Sequence, residues 1–294
     1  MNNSHLNRFL LVTMFGFISA VAVCQEVDPR SAEESATRVR REYLQQLAHQ
    51  YSLASSSQEE TFTLTEDALL FYSNPTKALG STHGASFLWL DGKRPVAACS
   101  FSIRRPNDSV GLEFSSFVDA ALECRRDGEL IWNPRTWNSE PAKISGAPEP
   151  AAQATRRLVQ MRAVARQFRS TCYDRRSGEP TELRLLPQPL YRYEDVNSGV
   201  VDGAVFAYVI SNDPELLLRL EAIESNGTRV WQGSFARMTS RQLAVTTEKT
   251  AIWEVANYYD GVRSSNRPYL EAGAEGREGL EEFQRSQSQS ADIR

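Results

Sequence analysis

The apolar positions of this chain recur with two periods, one typical of helices and one typical of strands. From Arg30 to Ala54 and from Ala151 to about Ser170, apolar side chains return every three or four residues, which predicts two helices with one buried face each. After each helix the period falls to two, which predicts strands. In the second half these strands are expected at Thr181–Leu186, Ala204–Ile210, Leu216–Ile223, Thr228–Met238, Gln242–Thr246 and Ala251–Val255.

Three two-residue turn signals lie between predicted strands. Asp91-Gly92, Asp127-Gly128 and Asn226-Gly227 are pairs that favour tight β-hairpins. We therefore predict that each helix is followed by an antiparallel meander.

The two halves of the chain match each other when one is offset against the other. Gly84–Pro95 corresponds to Gly203–Pro214 at an offset of 119 residues, without a gap. Three blocks in the same order, with the offset changing only at loops, favour an internal duplication over chance. Further matched pairs are Leu64/Leu183 and Tyr72/Tyr191 at 119, Phe114/Phe235 and Trp132/Trp253 at 121, and Leu44/Met161 and Tyr51/Phe168 at 117.

This pattern predicts an α+β protein made of two tandem helix-plus-antiparallel-sheet repeats, residues 25–145 and 146–260, packed as a pseudo-symmetric pair. Residues 261–294 are polar and low in complexity. With few apolar residues to offset the ordering entropy, this tail is expected to be disordered.

The first 24 residues have the composition of a secretory signal peptide. Arg8 is their only charged residue, Phe9–Val23 is apolar, and small residues precede Cys24. An uncleaved anchor and lipidation of Cys24 stay open as alternatives. We predict an extracytoplasmic protein, periplasmic or secreted, with no stable membrane insertion after signal cleavage. The formal net charge of −4 argues against a nucleic-acid partner.

Candidate catalytic groups are scarce. His49 is expected to face solvent, and His83 lies in a turn, where an ordinary loop histidine is favoured over a catalytic one. Cys99 and Cys124 align with Leu218 and Val245, so both are expected in the core, and a disulfide between them stays open. No motif for a catalytic residue, a metal or a cofactor is found, and we predict none.

Aromatic residues supply one candidate binding surface. Trp89, Trp132 and Trp253 lie in predicted strands and are expected in the core. Trp137 lies in a polar loop, and its counterpart at an offset of 121 is Tyr258, next to Tyr259. We interpret Trp137, Tyr258 and Tyr259 as a candidate ligand-binding surface.

Residues 155–256 also resemble a family of uncharacterised secreted proteins from planctomycete bacteria. The resemblance lies in Leu185-Leu-Pro-Gln-Pro-Leu-Tyr-Arg-Tyr-Glu194, Asp202-Gly-Ala-Val-Phe-Ala-Tyr-Val209, Asn212-Asp-Pro-Glu-Leu-Leu-Leu218 and Ala236-Arg-Met-Thr239. It implies export and a bacterial origin, and it carries over no activity and no functional residue.

Two functions are compatible with these features. The first is an exported, non-catalytic binding or structural module of unknown partner, which the scarcity of catalytic groups favours. The alternative is a hydrolase that uses carboxylates or His83 in a cleft between the two repeats. Whether the protein is an enzyme stays open, with the non-catalytic interpretation preferred.

Overall fold

The computed structural model describes residues 29–57, 60–75, 81–225, 227–248 and 250–292. The proposed signal peptide, Cys24 and Asn226 of the third hairpin signal lie outside the described residues. The described residues are mostly β, with 48% in strands and 19% in helices. The predicted α+β class is wrong. Residues near each helix that were predicted as loops or helix ends form additional strands.

The first half of the chain forms one helix and nine strands in the described residues. The helix ends at Ala48, earlier than predicted, and Tyr51 begins the first strand. The elements are α1 (Pro29–Ala48), β1 (Tyr51–Ser55), β2 (Thr61–Leu64), β3 (Leu70–Asn74), β4 (Thr82–Asp91), β5 (Arg94–Arg104), β6 (Ser109–Ser116), β7 (Leu122–Arg126), β8 (Glu129–Trp132) and β9 (Ala142–Lys143).

The second half begins with another helix, and the two strands predicted over 242–246 and 251–255 are confirmed residue for residue. The elements are α2 (Ala154–Ala165), β10 (Arg169–Tyr173), β11 (Pro180–Glu182), β12 (Arg184–Leu185), β13 (Tyr191–Asp195), β14 (Val200–Ile210), β15 (Asp213–Ser225), β16 (Thr228–Arg237), β17 (Gln242–Thr246), β18 (Ala251–Val255), β19 (Tyr269–Glu275) and α3 (Arg277–Asp292).

Nine antiparallel strands form a nearly closed, barrel-like sheet around α1. The strand order is β19-β6-β5-β4-β2-β1-β7-β8, and β3 pairs with β4 beside β2. The two ends approach each other, because the Asn133 N–H donates to the Ser265 carbonyl (2.8 Å) and the Trp132 indole N–H donates to the Arg267 carbonyl (2.9 Å). We call α1, β1–β8, β19 and α3 the first unit.

The core of the first unit lies between α1 and the inner face of this sheet. Tyr43, Leu44, Leu47 and Ala48 form one face of α1 and are at most 5% exposed. They contact inward-facing strand residues that include Phe101 and Phe114. Residues spaced three or four apart on the helix therefore pack against residues spaced two apart on the strands, in one core.

The second unit, β9, α2 and β10–β18, repeats this strand order in two separate sheets. One sheet runs β9-β16-β15-β14-β12, with β13 also paired to β14, and the other runs β11-β10-β17-β18. The strand β2, which joins β4 to β1 in the first unit, corresponds to the pair β11 and β12. The duplication that this order suggests stays a prediction.

The description as two tandem helix-plus-sheet repeats is also wrong, because the units exchange segments of chain. β9, expected in the first repeat, pairs with β16 of the second unit. β19, expected in a disordered tail, pairs with β6 of the first unit, and α3 follows it with Leu280 buried. Residues after 260 therefore complete the first core, which local composition does not reveal.

The register of the shorter strands differs from the sequence alignment by two residues. Tyr72 pairs with Gly84 and Tyr193 pairs with Gly203, so the counterpart of Tyr72 is Tyr193 rather than Tyr191. Each tyrosine ring covers its glycine: a Cβ would lie 2.2 Å from Tyr72 Cζ at Gly84 and 2.4 Å from Tyr193 Cζ at Gly203. Both glycines are required by this close approach.

The units pack against each other through the outer faces of β4, β5, β14 and β15. Apolar residues fill the contact: Leu88, Ala98, Phe117, Val205, Ala207, Val209, Leu217, Ala236 and Met238. One ionic group lies at its margin, where the Arg94 guanidinium donates to both Glu221 oxygens (2.8 and 2.9 Å) and the Tyr193 hydroxyl donates to Glu221 (2.6 Å). Burial raises the pKa of Glu221, but Arg219, Arg94 and Tyr193 together lower it below its usual value.

Candidate functional site

A cavity of about 1020 Å³ opens in the second unit between β16 and β18. This is within the size range of small-molecule sites. Its walls come from the segment 139–146, the connection from α2 to β10, the strand β16 and the β17–β18 hairpin. The equivalent space in the first unit lies between β6 and β8, where β19 and the residues before it close the sheet.

Three differences from the first unit lie next to this cavity, two in side chains and one in backbone. Leu112 of β6 pairs with Ala272 of β19, whereas the corresponding Gly233 of β16 pairs with Ala142 of β9. The strand β19 has seven residues and β9 has two. The shorter closing strand leaves space next to β16. The place of the missing leucine side chain is taken by Ile144, whose Cδ1 would lie 2.8 Å from a Cβ at Gly233.

The third difference lies at the mouth. In the first unit Arg126 lies over the Tyr51 ring (5.4 Å), donates to the Ala274 carbonyl (3.4 Å) and forms an ion pair with Glu275. The register places Thr247 at the corresponding position of the second unit. A short side chain there leaves the mouth open.

Three aromatic rings form one wall of the cavity. Phe168 and Phe235 contact each other edge to face with centroids 5.3 Å apart, and Phe235 is stacked on Trp253 at 5.9 Å with an interplanar angle of 26°. Trp253 is half-buried, whereas its counterpart Trp132 is fully buried. The Trp253 indole N–H donates to the Asn138 carbonyl (3.3 Å), which fixes the ring plane. The wall offers a flat apolar surface.

Charged side chains surround this wall. Arg166, in the connection from α2 to β10, and Arg169, the first residue of β10, line the cavity and are exposed, as is Lys143 of β9. Glu140, of the segment 139–146, and Glu248, of the β17–β18 hairpin, also line it. Within the described part of the chain, neither arginine forms a side-chain ion pair. The arginine pair therefore makes one side of the mouth suitable for an anionic group.

The predicted surface of Trp137, Tyr258 and Tyr259 lies elsewhere. Tyr258 contacts Tyr259 (5.4 Å) and Tyr269 (5.1 Å), and it is 8% exposed. Burial, with a contribution from Glu271, raises the pKa of Tyr259 to about 12. Trp137 is half-buried in the loop after β8, and no ring contact among the described residues joins it to either tyrosine. The structure brings the tyrosines together, but not the tryptophan.

His83 and the cysteines lie outside this cavity. His83, half-buried, lines a smaller cavity in the first unit. Cys99, Cys124 and Cys172 are buried thiols without a disulfide, and burial raises the pKa of Cys172 to about 12. These thiols are therefore protonated at neutral pH and unsuited to nucleophilic attack.

Trp253, which lines the large cavity, is predicted from the sequence to lie in the core. Phe168, Phe235 and Trp253 have the same apolar spacing as their buried counterparts. The signal that distinguishes them is the loss of bulk at two aligned positions, Leu112 to Gly233 and Arg126 to Thr247. That signal becomes meaningful only when the structure shows that both positions face one space.

Comparison of the chain with protein-family models, with curated proteins and with solved structures finds no match. The resemblance to planctomycete proteins, and the export that it implies, stay predictions. Among the described residues, no helix has the length and apolar character needed to span a membrane.

Proposed function

We propose that the protein is a non-catalytic binding module and that the large cavity of the second unit holds its ligand. The ligand is an amphipathic molecule with a flat or extended apolar body and an anionic group. Export from a bacterial cell, predicted from residues 1–24, belongs to the same proposal. The observation that carries it is a cavity of about 1020 Å³ with a three-ring aromatic wall beside two arginines that form no side-chain ion pair with the described residues.

The apolar body is expected to lie against Trp253 and Phe235. An aromatic surface of this kind contributes through burial of apolar area and through ring contacts worth roughly 0.5–1.5 kcal/mol each. The anionic group is expected at Arg166 and Arg169, where planar guanidinium groups bind carboxylate, sulfonate or phosphate oxygens. Neither side chain has to break an internal ion pair to do so.

The packing between the units also favours this function over the hydrolase alternative. That alternative requires a cleft between the two units. Their contact is filled by apolar side chains, and the void found there, next to Leu88 and Met238, is about 10 Å³. This is about the minimum that holds a single water molecule, about 10–15 Å³, and is too small for a substrate.

The test uses anilinonaphthalene sulfonate, a fluorescent probe with aromatic rings and one anionic group, with dodecanoate as competitor. We expect the dye to bind the full chain and dodecanoate to displace it. Trp253→Ala and the double variant Arg166→Gln/Arg169→Gln should each weaken dye binding about tenfold, since each removes about 1.4 kcal/mol of contact.

Arg176→Gln is the matched control, because Arg176 is an exposed arginine outside the cavity lining and its loss should leave the affinity unchanged. Far-UV circular dichroism checks that each variant is folded. Equal dye affinity in all variants would place the dye elsewhere and reject this site.

A further inference from the structure

A second cavity, of about 170 Å³, lies between α1 and the paired strands β3 and β4 of the first unit, and Asn212 of the second unit borders it. Its lining includes Thr37, Arg40, Phe71, Tyr72, His83 and Asn212. Arg40 is 6% exposed, although it carries a permanent charge. The N–H groups of a buried arginine normally all have hydrogen-bond partners.

Arg40 has an unpartnered donor. Its Nη2 donates to Glu33 and to Thr37 Oγ1 (3.1 Å), and the Glu33 carboxylate is largely exposed. Its Nε is buried and has no hydrogen-bond partner in the described structure. An unpaired buried donor of a charged group is destabilising, and a ligand that accepts a hydrogen bond from it would remove that penalty.

The second unit shows which group pairs with an arginine at the position of Arg40. Arg157 is the counterpart of Arg40 at the helix offset of 117 and is equally buried, 5% against 6% exposed. Arg157 Nε donates to Asp202 Oδ2 (2.8 Å). The atom that is unpartnered in Arg40 is therefore the atom that binds a carboxylate in Arg157.

The carboxylate has no counterpart in the first unit. Asp202 is 1% exposed and also accepts two hydrogen bonds from Arg192 (2.9 and 2.7 Å). At the corresponding places the first unit has His83 for Asp202 and Phe71 for Arg192. The cavity lies where the Asp202 carboxylate and its second arginine lie in the other unit.

We infer that the cavity of the first unit binds a small carboxylate, which takes the place of the Asp202 side chain and accepts from Arg40, with His83 and Thr37 beside it. Arg41, which lies over the Phe71 ring at 5.0 Å, lines the same cavity and adds a second positive charge. This site is separate from the large cavity, and its test does not depend on that proposal.

The size of the cavity limits the ligand. A dry engineered cavity of about 150 Å³ holds benzene, so 170 Å³ accommodates a carboxylate with a short substituent. Acetate and propionate fit this limit. A long-chain amphiphile exceeds it, which distinguishes this site from the one in the second unit.

His83 reports on the occupancy of the site. Burial and the charge of Arg40 lower the pKa of His83; Arg105 acts in the same direction, while Glu33 and Asp108 oppose it. A carboxylate placed between Arg40 and His83 favours the protonated imidazole. Binding should therefore raise the pKa of His83, and acetate should bind more tightly as the pH falls through that pKa.

The experiment is a titration of the full chain with sodium acetate, followed by NMR of the histidine imidazoles at constant ionic strength. His49 is the internal control, because it is exposed outside the cavity and contacts the Glu66 carbonyl (2.9 Å). We expect saturable shifts at His83 and none at His49. Arg40→Gln should weaken acetate binding at least about tenfold, because a charged hydrogen-bond partner is lost.

The decisive variant is His83→Asp, which places a carboxylate at the Asp202 position. It should raise the midpoint of thermal unfolding in the absence of acetate and abolish the further rise that acetate causes in the wild type. His83→Asn, similar in size and uncharged, should not raise the midpoint. All variants are measured in the same buffer series, so the general stabilisation by salts affects each of them equally.

Three outcomes would reject the proposal: no saturable shift at His83, an acetate response that survives in both Arg40→Gln and His83→Asp, or a response to phosphate with none to acetate. The last would indicate a site for tetrahedral oxyanions. Because His83→Asp and His83→Asn are compared in the same assay, a folding failure of Arg40→Gln does not prevent a decision.

Discussion

The two units share a strand order, but one closes around its core and the other leaves a cavity. In the first unit β19 pairs along most of β6, and Arg126 covers the end of the core. In the second unit β9 covers two residues of β16, and a threonine takes the place of that arginine. A curved sheet buries its inner face only if something closes its edges. Two sheets with the same strand order can therefore differ in whether their edges are closed.

The largest expected difference in stability between the units concerns Trp132 and Trp253, which occupy equivalent positions. Trp132→Ala should cost roughly 3–5 kcal/mol in the free energy of unfolding, because Trp132 is fully buried and removal of its ring leaves a cavity in a closed core. Trp253→Ala should cost less than half of that, because one face of the ring already borders the open cavity. Urea unfolding of both variants checks the difference, and equal losses would mean that the second unit is as tightly closed as the first.

The next difference concerns the two tyrosines that cover glycines. Tyr193→Phe should cost about 1.5–3 kcal/mol, since its hydroxyl donates to the buried Glu221 carboxylate. Tyr72→Phe should cost about 0.5–1.5 kcal/mol, since its partner, Ser100, is uncharged.

These variants also differ in pH dependence. The folded pKa of Glu221 is lowered, so the stability it contributes is present above the unfolded value, about 4.3, and is lost as the pH falls through the folded pKa. Tyr193→Phe removes one donor and moves this loss to higher pH, whereas Tyr72→Phe does not. Unfolding midpoints between pH 3 and 6, about the range of carboxylate titration, provide the measurement.

The smallest expected effect on stability comes from exchanging the residues at the two mouths. Arg126→Thr should cost about 1 kcal/mol, because Arg126 is partly exposed and its ion pair is discounted by solvent. Thr247→Arg should be close to neutral for stability but should reduce dye binding in the second unit. If Thr247→Arg leaves dye binding unchanged, the mouth does not control access.

Much of the fold could be predicted where the determining interactions are local. Asp127 and Gly128 both have positive φ, 51° and 81°, in the turn between β7 and β8, as the hairpin signal requires. Cys99 and Cys124 are fully buried, as their apolar partners in the alignment indicated. The strand β10 was missed because Arg169 and Ser170 continue the polar and apolar pattern of the helix before it.

The candidate sites were less accessible to sequence reasoning. Trp253 was assigned to the core because its spacing matches that of Trp132, and nothing in the spacing tells a closed wall from an open one. Arg40 is a charged residue of a predicted helix, yet it is buried. Its alignment with Arg157 was available, but the partner Asp202 lies 45 residues further along the chain.

Periodicity and φ preferences within a few residues predict several of the longer strands, the hairpin turns and many inward-facing residues. Which segment closes which sheet depends on the tertiary structure. That choice depends on pairing between residues more than 100 apart, such as Leu270 with Phe114, and is driven by burial of apolar area, which has no direction along the chain. The large cavity follows from it, whereas the smaller one lies where the first unit has His83 and Phe71 in place of Asp202 and Arg192.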